Sequence, residues 1–303
     1  MTKNIQAAAV MLFALFMASC ESFYYTEEAE DNSEKNVHIN VTEIKQTAFN
    51  EDEKDVHFSP SLTRASQPIT QLCTRLSFAF FSGDERIKKI DQKVDDEDFG
   101  NISLHLEPGT YRLVVLGHNG EGTATISTLD KITFPNNKMT DTFLYSNDIT
   151  IGEDDVTLDV ALKRVVAMFR LKLSEDLSPD VSYLEFYYTG GSSTLSANTG
   201  YGSVNSKQTE VRTVAEGQKT FEIYTIPHAE TDELTIKITA FDADDIELGS
   251  TTLPAVPVTC NRITQYTGSL FHSSAGMNIS VSADGEWKGT DEYVPQYNGL
   301  DKQ

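Results

Sequence analysis

The chain has 303 residues, 39% of them hydrophobic and 10% aromatic, which is enough for a real core. It carries 46 acidic against 24 basic side chains, a formal charge of −22, and that balance argues against nucleic acid as a partner, because phosphate binding needs a basic footprint. The apolar run near the start, Ala7 to Met17, is shorter than the roughly 20 residues that a membrane-spanning helix needs, and no second long apolar run follows it.

That run follows Lys3 and is followed by Ala18, Ser19 and Cys20. A positive residue, a short apolar stretch and small residues before a cysteine predict a lipoprotein signal peptide over 1–19, with Cys20 acylated through its thiol as the first mature residue. The competing reading is an ordinary signal peptide with a chance cysteine. Residues 20–36 then read as an acidic tether: ESFYYTEEAEDNSEKN sets six acids against one lysine, without helix or strand period.

From Val37 the pattern is β. Val37, Ile39 and Val41 alternate with polar residues, and Leu76–Phe81 is a further candidate strand. Glu85–Lys93 is the best helix candidate. Ile102, Leu104 and Leu106 alternate up to Pro108-Gly109, after which Thr110–Leu116 returns, which predicts a hairpin. A second series starts near Val156. It comprises Val165–Leu173, Tyr183–Tyr188, a Gly/Ser/Thr-rich loop over Gly190–Ser203, Phe221–Ile226, Leu234–Ala240 and the stretch Pro254–Phe271. Many short strands with regular turns predict an all-β fold of two tandem β-sandwich domains, 37–155 and 156–290, followed by a tail over 291–303.

Chemistry-bearing motifs are scarce. There is no HExxH, CxxC or GxSxG, and the six histidines show no metal-ligand spacing. Asp95–Asp98 and the Asp242, Asp244, Asp245 group lack the spaced pattern of a calcium loop and read as solvated turns. Cys73 and Cys260 read as two buried thiols, with a disulfide as the alternative. Tyr24-Tyr25, Tyr187-Tyr188 and Trp287 are the candidate sugar-stacking aromatics. Adjacent strand residues point to opposite faces, so one of Tyr187 and Tyr188 is expected in the core. The expectation is a non-enzyme without metal or cofactor.

Several stretches, taken together, resemble the FimB-type fimbrillin-associated anchor and fimbrial subunit family of Bacteroidetes lipoproteins. They are CTRLSFAFFSGDERIKKIDQ (73–92), LEPGTYRLVVLGHNGEGTATIST (106–128), ITFPNNKMTDTFLYSNDITI (132–151), LKRVVAMFRLKL (162–173) and FYYTGGSSTLSANTGYGSVNSKQTE (186–210). The resemblance implies two transthyretin-like sandwiches and a place in adhesive fimbriae on the outer membrane, facing the cell exterior. It implies other fimbrial subunits as partners, joined by donor-strand exchange, and host or bacterial surface receptors beyond them. The acidic stretch after Cys20 is similar to the export signals of such lipoproteins.

The alternation Met277, Ile279, Val281, Ala283 marks either a donor strand or the last strand of the second domain. A donor is expected to be an edge strand or loosely attached. Polymerising members of the family are cut after an arginine, and Arg64-Ala65, in SPSLTRASQP, has the matching type and place. A cut there implies a stalk or tip subunit, whereas an intact chain joined to Cys20 implies an anchor. In a different class, a surface glycan-binding lipoprotein would need an exposed aromatic platform.

Overall fold

The computed structural model describes residues 34–44 and 68–270 and two short strands at 278–280 and 292–293. The first half contributes β1 (Val37–Ile44), β2 (Arg75–Ser82), β3 (Glu85–Lys93), β4 (Asn101–Leu104), β5 (Gly109–His118), β6 (Thr125–Thr128), β7 (Lys131–Thr133), β8 (Thr142–Ile151) and β9 (Val156–Arg164). Seven of these form one sheet in the order β3-β2-β5-β8-β9-β1-β4. The sheet folds at β8 and β9, which pair only at Phe143↔Arg164 and Leu144↔Lys163. β2 and β5 are buried on both faces, which is why FAFF (78–81) and LVVL (113–116) are unbroken apolar runs. Phe78, Phe80, Leu113 and Val115 join β1, β4 and β9 in one core cluster, while Ala79, Phe81, Val114 and Leu116 join another.

Two local expectations fail here. Glu85–Lys93 is not a helix but β3, paired with β2 from Ser82↔Glu85 to Arg75↔Lys93. The two-residue turn Gly83-Asp84, with Gly83 at φ +59, folds the chain back, and long-range pairing overrides the helix propensity of Glu, Arg and Lys. The Pro108-Gly109 turn does not close a hairpin either. β4 pairs with β1, whereas β5 pairs with β2 and β8. The turn carries the chain from one limb of the folded sheet to the other. It is held by buried Leu106 and by the Tyr111 hydroxyl, which donates to the Glu107 carbonyl at 2.9 Å.

The second half contributes β10 (Ala167–Leu173), β11 (Tyr183–Thr189), β12 (Thr194–Leu195), β13 (Lys207–Thr213), β14 (Thr220–Thr225), β15 (Thr231–Phe241), β16 (Glu247–Thr259), β17 (Ile263–Gly268), β18 (Asn278–Ser280) and β19 (Glu292–Tyr293). Sheets β14-β10-β17-β18-β19 and β13-β11-β15-β16 enclose a core that includes Phe169, Leu171, Phe186, Tyr188, Ile236 and Ile238. β9 lies in the sheet of the first half, although the second series of strands begins with it in the sequence.

The Gly190–Ser203 stretch is not a solvated loop. Ser192 through Ala197 are buried, and β12 pairs with β7 of the first half in a β12-β7-β6 sheet. Its hydroxyls are satisfied locally and by Asp130, which accepts from Ser196 Oγ at 2.6 Å and Asn198 Nδ2 at 3.0 Å. Gly190 enters this stretch at φ +100 and lies so close to the Glu233 carbonyl that a side chain would collide with it. A middle core cluster accordingly draws on both halves, with Phe81, Ile126 and Leu144 meeting Met168, Leu195 and Ile263.

Candidate functional site

β1 is the element in which the sequence expectations and the geometry meet. It lies inside the sheet, parallel to β9 from Val37↔Val156 to Ile44↔Leu162 and antiparallel to β4 from Val37↔Leu104 to Asn40↔Asn101. Val37 and Ile39 are fully buried and Val41 nearly so. They insert into the cluster that holds Leu76, Phe78, Leu113, Val160 and Leu162. Polar positions secure the register. The Asn36 side chain donates to the Leu106 carbonyl at 2.9 Å and accepts the Leu106 N–H at 3.0 Å, standing in for one more ladder pair. His38 meets Ser103 Oγ at 2.8 Å, and Asn40 Nδ2 donates to Asp159 at 3.2 Å. A bulge between Val41 and Glu43 interrupts the pairing with β9 near its end.

At β18, Ile279 pairs with Tyr266 on one flank and Tyr293 on the other. That is a strand in its own sheet. At these residues the chain has a paired strand on each side rather than an open edge, which differs from the expectation of an edge or loosely attached strand. Met277, Val281 and Ala283 lie outside the described residues, as do Cys20, Arg64, Ala65, Tyr24, Tyr25 and Trp287.

The remaining candidates separate clearly. Tyr188 is buried, its hydroxyl donating to the Tyr224 carbonyl at 2.9 Å, and desolvation raises its pKa. Tyr187, next to it, faces out at 37% exposure. Asp242 serves its own turn, accepting from the Asp244 and Ile246 N–H groups, and Asp245 accepts from the Tyr183 hydroxyl. Asp96 accepts from the Lys93 N–H. Among the described residues, no group of three or more His, Cys, Asp or Glu is arranged to hold a metal ion. Cys73 and Cys260 are not joined in a disulfide. Cys73 is buried and Cys260 half-buried, and burial, reinforced by Asp141, pushes the Cys73 pKa far up.

Sequence reasoning missed a polar junction between the halves. Arg164, at the end of β9, holds Asp141 in a bidentate pair, Nε–Oδ1 2.6 Å and Nη2–Oδ2 2.7 Å. Its Nη1 reaches Asn261 Oδ1, before β17, at 3.2 Å, and its guanidinium lies 4.8 Å from the Phe143 ring centroid. The only signal in sequence was an arginine interrupting an apolar run at LKRVVAMF.

A family model described as a family of unknown function (DUF6562) matches residues 32–296, starting ahead of β1 and running past β19. The chain belongs to that family. No curated protein matches it. Among solved structures, the fimbrial anchor protein Mfa2 from Porphyromonas gingivalis aligns over 85% of this chain and 99% of its own length, at 11% identity and a TM-score of 0.42. A suggested adhesin from Bacteroides ovatus aligns over 74% and 90%, at 14% identity and a TM-score of 0.44. A suggested polysaccharide-binding protein (DUF1812) from Bacteroides thetaiotaomicron aligns over 88% and 100%, at 11% identity and a TM-score of 0.47. These values describe a likeness in the course of the backbone, not in any site.

Proposed function

We propose that this member of the family is a lipid-anchored protein of the outer membrane surface that anchors or helps to assemble adhesive fimbriae, joining other subunits by strand complementation without catalysis. The observation that carries this reading is the seat of β1. A strand near the chain's beginning fills a gap between β9 and β4, and its three apolar side chains reach the centre of a core. Its downstream link to the fold runs through residues 45–67, which contain Arg64-Ala65. A cut after Arg64 therefore leaves β1 held by non-covalent contacts alone. Its departure uncovers two rows of backbone donors and acceptors and an apolar groove, which is what an incoming strand needs. An uncut chain keeps β1 in place and keeps the fold joined to Cys20, as an anchor requires. Acylation of Cys20 with more than one chain would make that tether persistent.

The strand arrangement also supports a division into two sandwiches, with the boundary after Arg164 because β9 belongs with β1. Donation of the 277–283 segment has no such support, since Ile279 is paired on both flanks. The glycan-binding alternative keeps one exposed aromatic, Tyr187, and loses Tyr188 to the core.

Mass spectrometry of the mature N-terminus from cells tests the reading. An acylated Cys20 continuous with the fold identifies an anchor, and an N-terminus at Ala65 identifies a stalk or tip subunit. An unmodified N-terminus at neither position would refute both forms.

A further inference from the structure

A cleft of about 310 Å³ lies where the loop following β7 meets β13, at the lower end of the size range of small-ligand pockets. Phe134, Pro135 and Met139 give it an apolar wall. Across it stands Glu210, whose buried carboxylate receives two cations on the same oxygen. Lys138 Nζ is 3.1 Å from Oε2, and Arg212 Nη1 is 2.9 Å from it. Two positive groups thus share one buried negative one, and the exposed Glu121 carboxylate at the rim balances the second.

Two further lining residues carry unspent hydrogen-bonding capacity. His118 Nε2 and Thr140 Oγ1 are buried without a protein partner. The Gly120 N–H donates to His118 Nδ1 at 3.1 Å, so in the neutral ring the hydrogen sits on Nε2. Burial, with Arg75 nearby, lowers the His118 pKa to about 4 and keeps the ring neutral.

We propose that this cleft binds a single carboxylate-bearing sugar unit. The carboxylate pairs with Lys138 and Arg212, as charge-assisted hydrogen bonds favour. The carbon face of the ring lies on Phe134 and Met139, and hydroxyls reach toward Thr140 and His118. Glu121, exposed at the rim, disfavours ligands with several acidic groups. The site is independent of whether β1 is ever exchanged, and none of its residues belongs to the β1 seat.

The test is calorimetric or ligand-observed NMR titration of the full chain with D-glucuronate, D-glucose and acetate. Saturable binding of glucuronate is expected, with glucose and acetate each weaker by about tenfold or more, the loss of the charged pair or of the ring. Lys138→Gln is expected to weaken glucuronate by about tenfold. Lys138 is 49% exposed, so the variant should fold, which circular dichroism checks. No saturable glucuronate binding, equal binding of glucose, or an unchanged affinity in a folded Lys138→Gln would each overturn the proposal.

Discussion

Ile39→Ala separates a strand that is seated from one that merely lies alongside. Ile39 is fully buried, between β9 and β4 in register and among aromatic and aliphatic neighbours from both limbs of the sheet. Losing three carbons removes roughly 2.4 kcal/mol of transfer free energy at about 0.8 per methylene. The cavity left behind brings the expected cost to about 2–5 kcal/mol. In the intact chain this appears as a lower urea midpoint, followed by far-UV circular dichroism. After an Arg-specific nick at Arg64, β1 is tethered by contacts alone, and the same deficit becomes a loss of retention of about 30- to 4,000-fold. Native mass spectrometry of nicked samples reads that loss directly. Thr42→Ala, on the same strand but exposed, is the control and should change neither readout by more than about 0.5 kcal/mol. An Ile39→Ala protein within about 1 kcal/mol of the parent, or one that keeps its nicked segment equally well, would refute the idea that the apolar seat holds β1.

Three further outcomes are expected. Asp141→Ala should destabilise the fold by about 3–5 kcal/mol in chemical denaturation, because it leaves Arg164 buried without its carboxylate; a change near zero would mean that the junction is solvated. His118 is held neutral in the fold, with its pKa lowered from 6.5 to about 4. The unfolded chain therefore binds more protons between those values. The His118 contribution is present above about pH 6.5 and is lost as pH falls toward 4, by at most about 3 kcal/mol. His118→Gln should flatten stability over that window, and identical pH curves for the two proteins would contradict the assignment. Cys73, buried with a raised pKa, should resist thiol reagents until the protein unfolds, whereas fast native labelling mapped to Cys73 by peptide mass would show that the core around β1 opens.

Most strands were legible because half-buried and doubly buried strands leave distinct patterns. The Val37–Val41 alternation, the LSFAFF run and the Leu234–Ala240 alternation each became a strand. ERIKKIDQK misled because its residues favour helix locally, and only the pairing partner supplied by β2 makes it a strand. Of the candidate site, the apolar face of β1 was visible in sequence, but its neighbours were not. No local pattern says that residue 39 will lie between residues 102 and 158. The cleft was invisible for the same reason. Lys138 and Glu210 are remote in sequence and meet only because β12 docks on β7 and brings the two halves together.

Alternation of apolar residues by itself determined that the described residues are mostly β strand, since side-chain period follows from backbone geometry within a single strand. Its charge balance and short leading apolar run are likewise properties of composition and order. Tertiary structure alone decided which edges are filled. β1 came to occupy an interior position, the Pro108-Gly109 turn became a crossing between limbs, and the Gly190–Ser203 stretch was buried. Each of these, the last of them confined to Ser192–Ala197, depends on hydrogen-bond partners far away in sequence, and a strand carries no local mark of the neighbour it will pair with.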